Sequence, residues 1–180
     1  IEDLKADRKV VLTVSNTMES FLTEFAEEND INPGDPVTLT FRDLLKRYLE
    51  RTRTISIRKP FQKGPGEKYL TDGELGSGGV KAYEQALAII DNAPLEDMPI
   101  SPIDAIHNEL RKAGYRTGEI TGRGGRIDYS GSTPLYKIRP GSEKNTAGRI
   151  KAVSQFQSGE LDVLILNQAG STGLSLHSDV

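Results

Sequence analysis

The chain has no cysteine among its 180 residues. That excludes a disulfide framework, a thiolate metal site and a cysteine nucleophile, and it fits a reducing, cytoplasmic setting. It has only two histidines, His107 and His177, and neither has a second histidine or a carboxylate at metal-ligand spacing, so both read as structural. No apolar run approaches the roughly 18 residues of a membrane span, and the opening IEDLKADRK is too polar for a signal peptide, so no membrane partner is expected. No strong charge of either sign is present. The net charge of −3 means that any nucleic-acid contact must come from a local basic patch. Three chemical fingerprints are missing as well. Gly76–Lys81 reads GSGGVK and lacks the Gly-Lys pair of a P-loop, Ile127 breaks G-x-G-x-x-G, and no G-x-S-x-G is present.

What is present is a soluble α/β pattern. Lys9–Val14 (KVVLTV) and Leu161–Leu166, with DVLIL at its centre, are β-branched or aliphatic runs of the kind buried on both faces of a parallel sheet. Tyr115–Thr121 reads as a third strand. Met18, Phe21, Leu22 and Phe25 repeat at i, i+3, i+4, i+7, which predicts an amphipathic helix. Phe41, Leu44, Leu45, Tyr48 and Leu49 do the same behind Thr40 as N-cap, after a turn at Asn32–Pro36. Residues 60–79 carry too much Gly and Pro for a regular element and read as an exposed loop, with a helix resuming from Val80 to Ile90. Ser101 caps a helix that opens on Pro102 and stops at Gly114, Gly122–Gly131 reads as a loop, and Ala147–Phe156 as a shorter helix. Alternating strands and helices imply a parallel sheet flanked by helices.

An open parallel sheet places ligands at the carboxyl ends of its strands. Two loops begin there. Thr121-Gly-Arg-Gly-Gly-Arg126 joins glycines that let a backbone approach closely to two guanidiniums whose forked donors match phosphate oxygens; its plainer reading is a flexible turn with solvated arginines. Asn167–Gly173 offers amides and hydroxyls suited to phosphate or ribose, or is simply a tight strand exit. The basic run Arg42, Lys46, Arg47, Arg51, Arg53, Arg58 and Lys59 lies largely on the polar side of a helix and reads as a solvated face.

The C-terminal third, with a strand ending in Thr-Gly, a helix holding Arg149 and Phe156, and then GELDVLILNQAGSTGLSL, resembles the second RecA-like lobe of superfamily two helicases and Swi/Snf-type translocases. The pair EITGRGGR at 119–126 and NQAGSTGLSL at 167–176 is similar to the strawberry notch group and its bacterial, phage and plasmid relatives, and VVLTVSNTMESFLTEF resembles that group's motif IV region. The resemblance implies one RecA-like helicase lobe of P-loop NTPase fold over 1–180, cut before motif VI, with a helical insertion at about 30–100. It implies motif V on Asn167–Leu176. Gly122, Arg123, Arg126, Asn167, Gln168, Ser171 and Thr172 would touch the nucleic-acid backbone, DNA or RNA, while Gly173 and Ser175 would lie near the nucleotide ribose. Ser175 departs from the acidic or amide residue common there. The parent would be an ATP hydrolase using ATP and Mg2+ with helicase lobe one of the same polypeptide, and this stretch alone would be catalytically incomplete. The opening without Met and the ending without a cap carry the same expectation of a longer polypeptide. A different class remains open: an interaction domain that keeps the lobe without the motor.

Overall fold

The computed structural model describes residues 2–15, 19–58 and 65–167. The chain divides into two compact units, one formed by Ile1–Thr38 with Ser101–Val180 and the other by Leu39–Ile100.

The first unit is built on three parallel strands, β1 (Val10–Val14), β4 (Thr117–Ile120) and β7 (Val163–Asn167), in the order β1-β7-β4. The aliphatic run of β7 takes the central place because it alone can be buried on both faces: Val163, Leu164 and Ile165 are wholly inaccessible and Leu166 nearly so. Each such side chain contributes about 1.5–3 kcal/mol through burial. Alternation divides them. Val163 and Ile165 join Leu4, Ile103 and Leu110, with Val10, Leu12 and Val14 against them, whereas Leu164 and Leu166 join Ile120 and Phe156. Helix α5 (Pro102–Lys112) therefore packs on one face and α7 (Thr146–Gln157) on the other. Helix α1 (Glu2–Lys5) brings in Leu4, and α2 (Glu19–Glu28) buries Leu22 and Ala26. The parallel sheet flanked by helices is as expected.

Other expectations need correction. Gly122–Gly131 is not a loop throughout: β5 (Gly125–Asp128) pairs antiparallel with β6 (Leu135–Ile138), and a short α6 (Gly141–Lys144) precedes α7. Gly125 permits this because a Cβ there would lie 3.1 Å from the Tyr136 ring. The 32–36 turn is fastened to the same hairpin, since Tyr136 N–H donates to the Asp35 carbonyl and Gly34 N–H to that of Tyr136. Residues 30–38 thus belong with the first unit.

The second unit holds α3 (Phe41–Arg51), a hairpin of β2 (Thr54–Arg58) and β3 (Pro65–Tyr69), and α4 (Asp72–Asn92). Thr40 caps α3 as the sequence predicts, in a reciprocal box with Asp43. The exposed loop over 60–79 is overturned for 65–69 and 72–79, which are strand and helix; residues 59–64 lie outside the described residues. Helix α4 tolerates its glycines by breaking at Gly76, whose φ of 69° only glycine adopts readily. The basic run is not simply solvated. Arg42 donates to the Ile90, Asp91 and Ala93 carbonyls at the end of α4, and Arg53 stacks on the Tyr69 and Tyr83 rings at 4.8 and 5.1 Å.

Candidate functional site

Register brings the two candidate loops side by side. In the β4–β7 pair Ile120 faces Leu166, so Thr121 leaves the sheet next to Asn167, which in turn faces Val14 of β1. The carboxyl edge of the sheet is therefore shared by the TGRGGR segment and the start of the predicted motif V. Gln168, Ser171, Thr172, Gly173 and Ser175 lie outside the described residues; Asn167 is half-buried as the last residue of β7. Gly122 is exposed at this edge, and a Cβ added to it would meet nothing within 4 Å, so its lack of a side chain leaves the approach open without being sterically required.

The two arginines part company. Arg123 is 1% exposed, and four hydrogen bonds to two carboxylates engage its guanidinium. Its Nε and Nη2 donate to the Glu119 carboxylate at 2.7 Å each, while Nη1 and Nη2 donate to Asp104 at 2.7 and 2.6 Å, with Ser101 Oγ and the Gly125 carbonyl at 3.5 Å from Nη1. Neither a phosphate contact nor a solvated turn describes it; Arg123 holds the loop in place. Arg126, on β5, is half-buried, and its side chain makes no ion pair or hydrogen bond among the described residues. Of the two, only Arg126 has a guanidinium without a carboxylate partner among the described residues.

Around Arg123 lies a buried polar network that single-sequence reading did not find. Asp104 of α5 also accepts from Ser101 Oγ at 2.5 Å and from the Ile127 N–H at 2.7 Å, joining α5 to β5. Arg139, 3% exposed, lies 3.0 Å from Glu119 and donates to Thr121 Oγ1 and the Arg123 carbonyl at 3.0 and 3.2 Å. Burial opposes ionisation of Glu119, but hydrogen bonds from Arg123 and His107 and the two guanidinium charges overcome it and hold the carboxyl well below its usual range. Burial likewise opposes the charge on Arg123, and its two carboxylates overcome that and raise its pKa. The only sequence trace of this network is the four-residue spacing of Glu119 and Arg123, because Asp104 and Arg139 are brought in by tertiary folding.

His107 also gains partners. Its Nδ1 is 2.7 Å from Thr117 Oγ1 and its Nε2 3.3 Å from Glu119 Oε2. Hydroxyl, imidazole and carboxylate in that order resemble a nucleophile–base–orienter relay. Here, however, the carboxylate is already neutralised by two guanidiniums, so the chain of bonds clamps α5 onto β4. Arg149 sits half-buried in α7, its Nε buried with no hydrogen-bond partner among the described residues.

A cleft of about 780 Å³ lies along β4, lined from α5, β4, β5 and α7 among other segments. Among the described residues no three His, Asp or Glu side chains gather as a metal cage. Compared with models of protein families, with curated proteins and with solved structures, the chain matches none.

Proposed function

We propose that this chain is the second RecA-like lobe of an ATP-dependent nucleic-acid helicase or translocase of the strawberry notch type, with residues around 39–100 inserted into it. The reading rests on motif residues and on sheet geometry rather than on a matched relative. The observation that carries it is the adjacency of β4 and β7, which brings Thr121 and Asn167 to one carboxyl edge, where ligands of parallel sheets bind. On this reading Gly122, Arg126 and Asn167, with Gln168, Ser171 and Thr172, track the backbone of a DNA strand. Arg123 serves them indirectly by holding the loop. In the complete cytoplasmic two-lobe protein, ATP and Mg2+ occupy the cleft between lobes and supply the phosphoryl-transfer chemistry, Gly173 and Ser175 being this chain's share of the nucleotide contact.

Binding of single- and double-stranded DNA and of RNA, measured against salt concentration, tests the reading. Arg126→Ala should weaken binding across sequences and flatten the salt slope by about one unit. No binding to any nucleic acid at low salt would overturn the proposal and leave the interaction-domain alternative.

A further inference from the structure

The cleft along β4 has an unusual charge balance. Four carboxylates line it, and each is already paired: Asp104 with Arg123, Glu119 with Arg123 and Arg139, Asp128 with Lys137, and Glu143 with Arg139. The side chains of three of its cations, Arg111 on α5, Arg126 on β5 and Lys151 on α7, make no ion pair or hydrogen bond among the described residues. The excess charge in the cleft is therefore positive, although the chain as a whole carries −3.

The hairpin adds a second observation. In its register Arg126 stands directly opposite Lys137. Like charges directly opposite one another across an antiparallel pair are destabilising. Lys137 is relieved by Asp128, which that pairing and the Ser130 hydroxyl and N–H hold well below its usual carboxylate range. Arg126 is not relieved. A cation kept half-buried, opposite another cation and without a carboxylate, does nothing for the hairpin's stability, and an arriving anion would remove the conflict.

We propose that this cleft binds a small phosphorylated ligand carrying at least two negative charges, held by Arg126, Lys151 and Arg111. The three cations come from three elements that line one cleft, α5, β5 and α7. Several positive charges in one cleft favour a multiply charged phosphate over a singly charged carboxylate. The hydroxyl of Ser142, without a hydrogen bond among the described residues, offers a further donor in the same lining. A volume of about 780 Å³ accommodates a small metabolite-sized molecule. The site shares Arg126 with the carboxyl-edge contacts proposed above and goes beyond them through Arg111 and Lys151, which come from helices and not from the strand-end loops.

Calorimetric titration of the chain with inorganic pyrophosphate tests it. Saturable one-site binding is expected, weakened about tenfold by Arg126→Ala and by Lys151→Ala, and less by Arg126→Lys, which keeps the charge and loses the fork. Arg8→Ala removes the same charge from an exposed pair with Asp3 outside the cleft and should leave binding unchanged. Unchanged circular dichroism and urea midpoints in the variants separate lost binding from lost folding. Absence of binding at millimolar pyrophosphate, or equal effects of Arg8→Ala and Lys151→Ala, would overturn the proposal. Because Arg126 is shared with the strand contacts proposed above, a deoxythymidine strand of about twelve nucleotides is titrated into Lys151→Ala: strand binding lost as strongly as pyrophosphate binding would overturn the proposal by making the occupant a nucleic-acid backbone, and unchanged strand binding supports it.

Discussion

Replacing Arg123 with methionine removes a side chain of similar length together with the charge that two buried carboxylates share. Asp104 and Glu119 are 5% and 6% exposed, so neither can recover the lost interaction from water. Glu119 keeps Arg139 at 3.0 Å, whereas Asp104 keeps only neutral donors, the Ser101 hydroxyl and the Ile127 N–H. One carboxylate is thus left charged and uncompensated, and breaking a buried pair in this way costs about 3–5 kcal/mol. Against a total of roughly 5–15 kcal/mol for a domain, that is a large fraction. With a urea slope of about 1–3 kcal/mol/M, the unfolding midpoint should fall by roughly 2 M. Adding Asp104→Leu to Arg123→Met should restore more than half of the loss, since the stranded charge is gone. The pH dependence follows from Glu119, whose pKa in the folded protein lies below the ordinary 4.5. Its contribution is present above 4.5 and is lost as pH falls below that value towards the folded pKa. In Arg123→Met part of the depression disappears, so the gap between variant and parent should narrow as the solution is acidified. A loss below about 1 kcal/mol at neutral pH would show that Arg123 is solvated and would refute the buried network.

Two glycines of the helices should respond oppositely to alanine. At Gly148 an added Cβ would lie 2.1 Å from the Ser142 carbonyl oxygen, a backbone atom, so α6 and α7 must part and Gly148→Ala should lower stability by about 1–3 kcal/mol, read from the urea midpoint. At Gly78 nothing lies within 4 Å, and Gly78→Ala should raise the stability of α4 by roughly 0.5–1 kcal/mol in the same assay. Gly76→Ala should cost about 1–3 kcal/mol, because the φ of 69° and ψ of 167° at the break suit glycine alone. Thr40→Ala should cost about 1 kcal/mol by removing one half of the capping box with Asp43, and Thr40→Ser should retain most of it.

The elements legible in the sequence are those whose causes are local. DVLIL is a strand because nothing but a doubly covered sheet buries such a run, and it falls at Val163–Asn167; KVVLTV also falls on a strand, Val10–Val14, but the expected burial on both faces is not met, since β1 lies at the edge of the sheet and Val11 is 40% exposed. Helix α3 begins behind Thr40 because a hydroxyl three residues before Asp43 satisfies the first free N–H groups. Their parallel pairing followed from the alternation of strands and helices, whereas the order that sets Thr121 beside Asn167 was decided by the folded sheet. Glycine content misled twice. Gly125 lies in a strand because Tyr136 needs the space of its missing side chain, and the glycines at 73–79 lie in a helix because Gly76 takes up the break in one residue. Neither neighbour is visible along the chain. The fate of the two arginines was also a tertiary matter. Spacing makes Arg123 and Arg126 equivalent members of one motif, but Asp104, nineteen residues away, captures the first, while β5 places the second opposite Lys137 with no carboxylate of its own. Local interactions decide which segments are strands and helices; which charges are neutralised depends on long-range contacts that bring a carboxylate from one helix to an arginine on another element, and only the folded chain makes those.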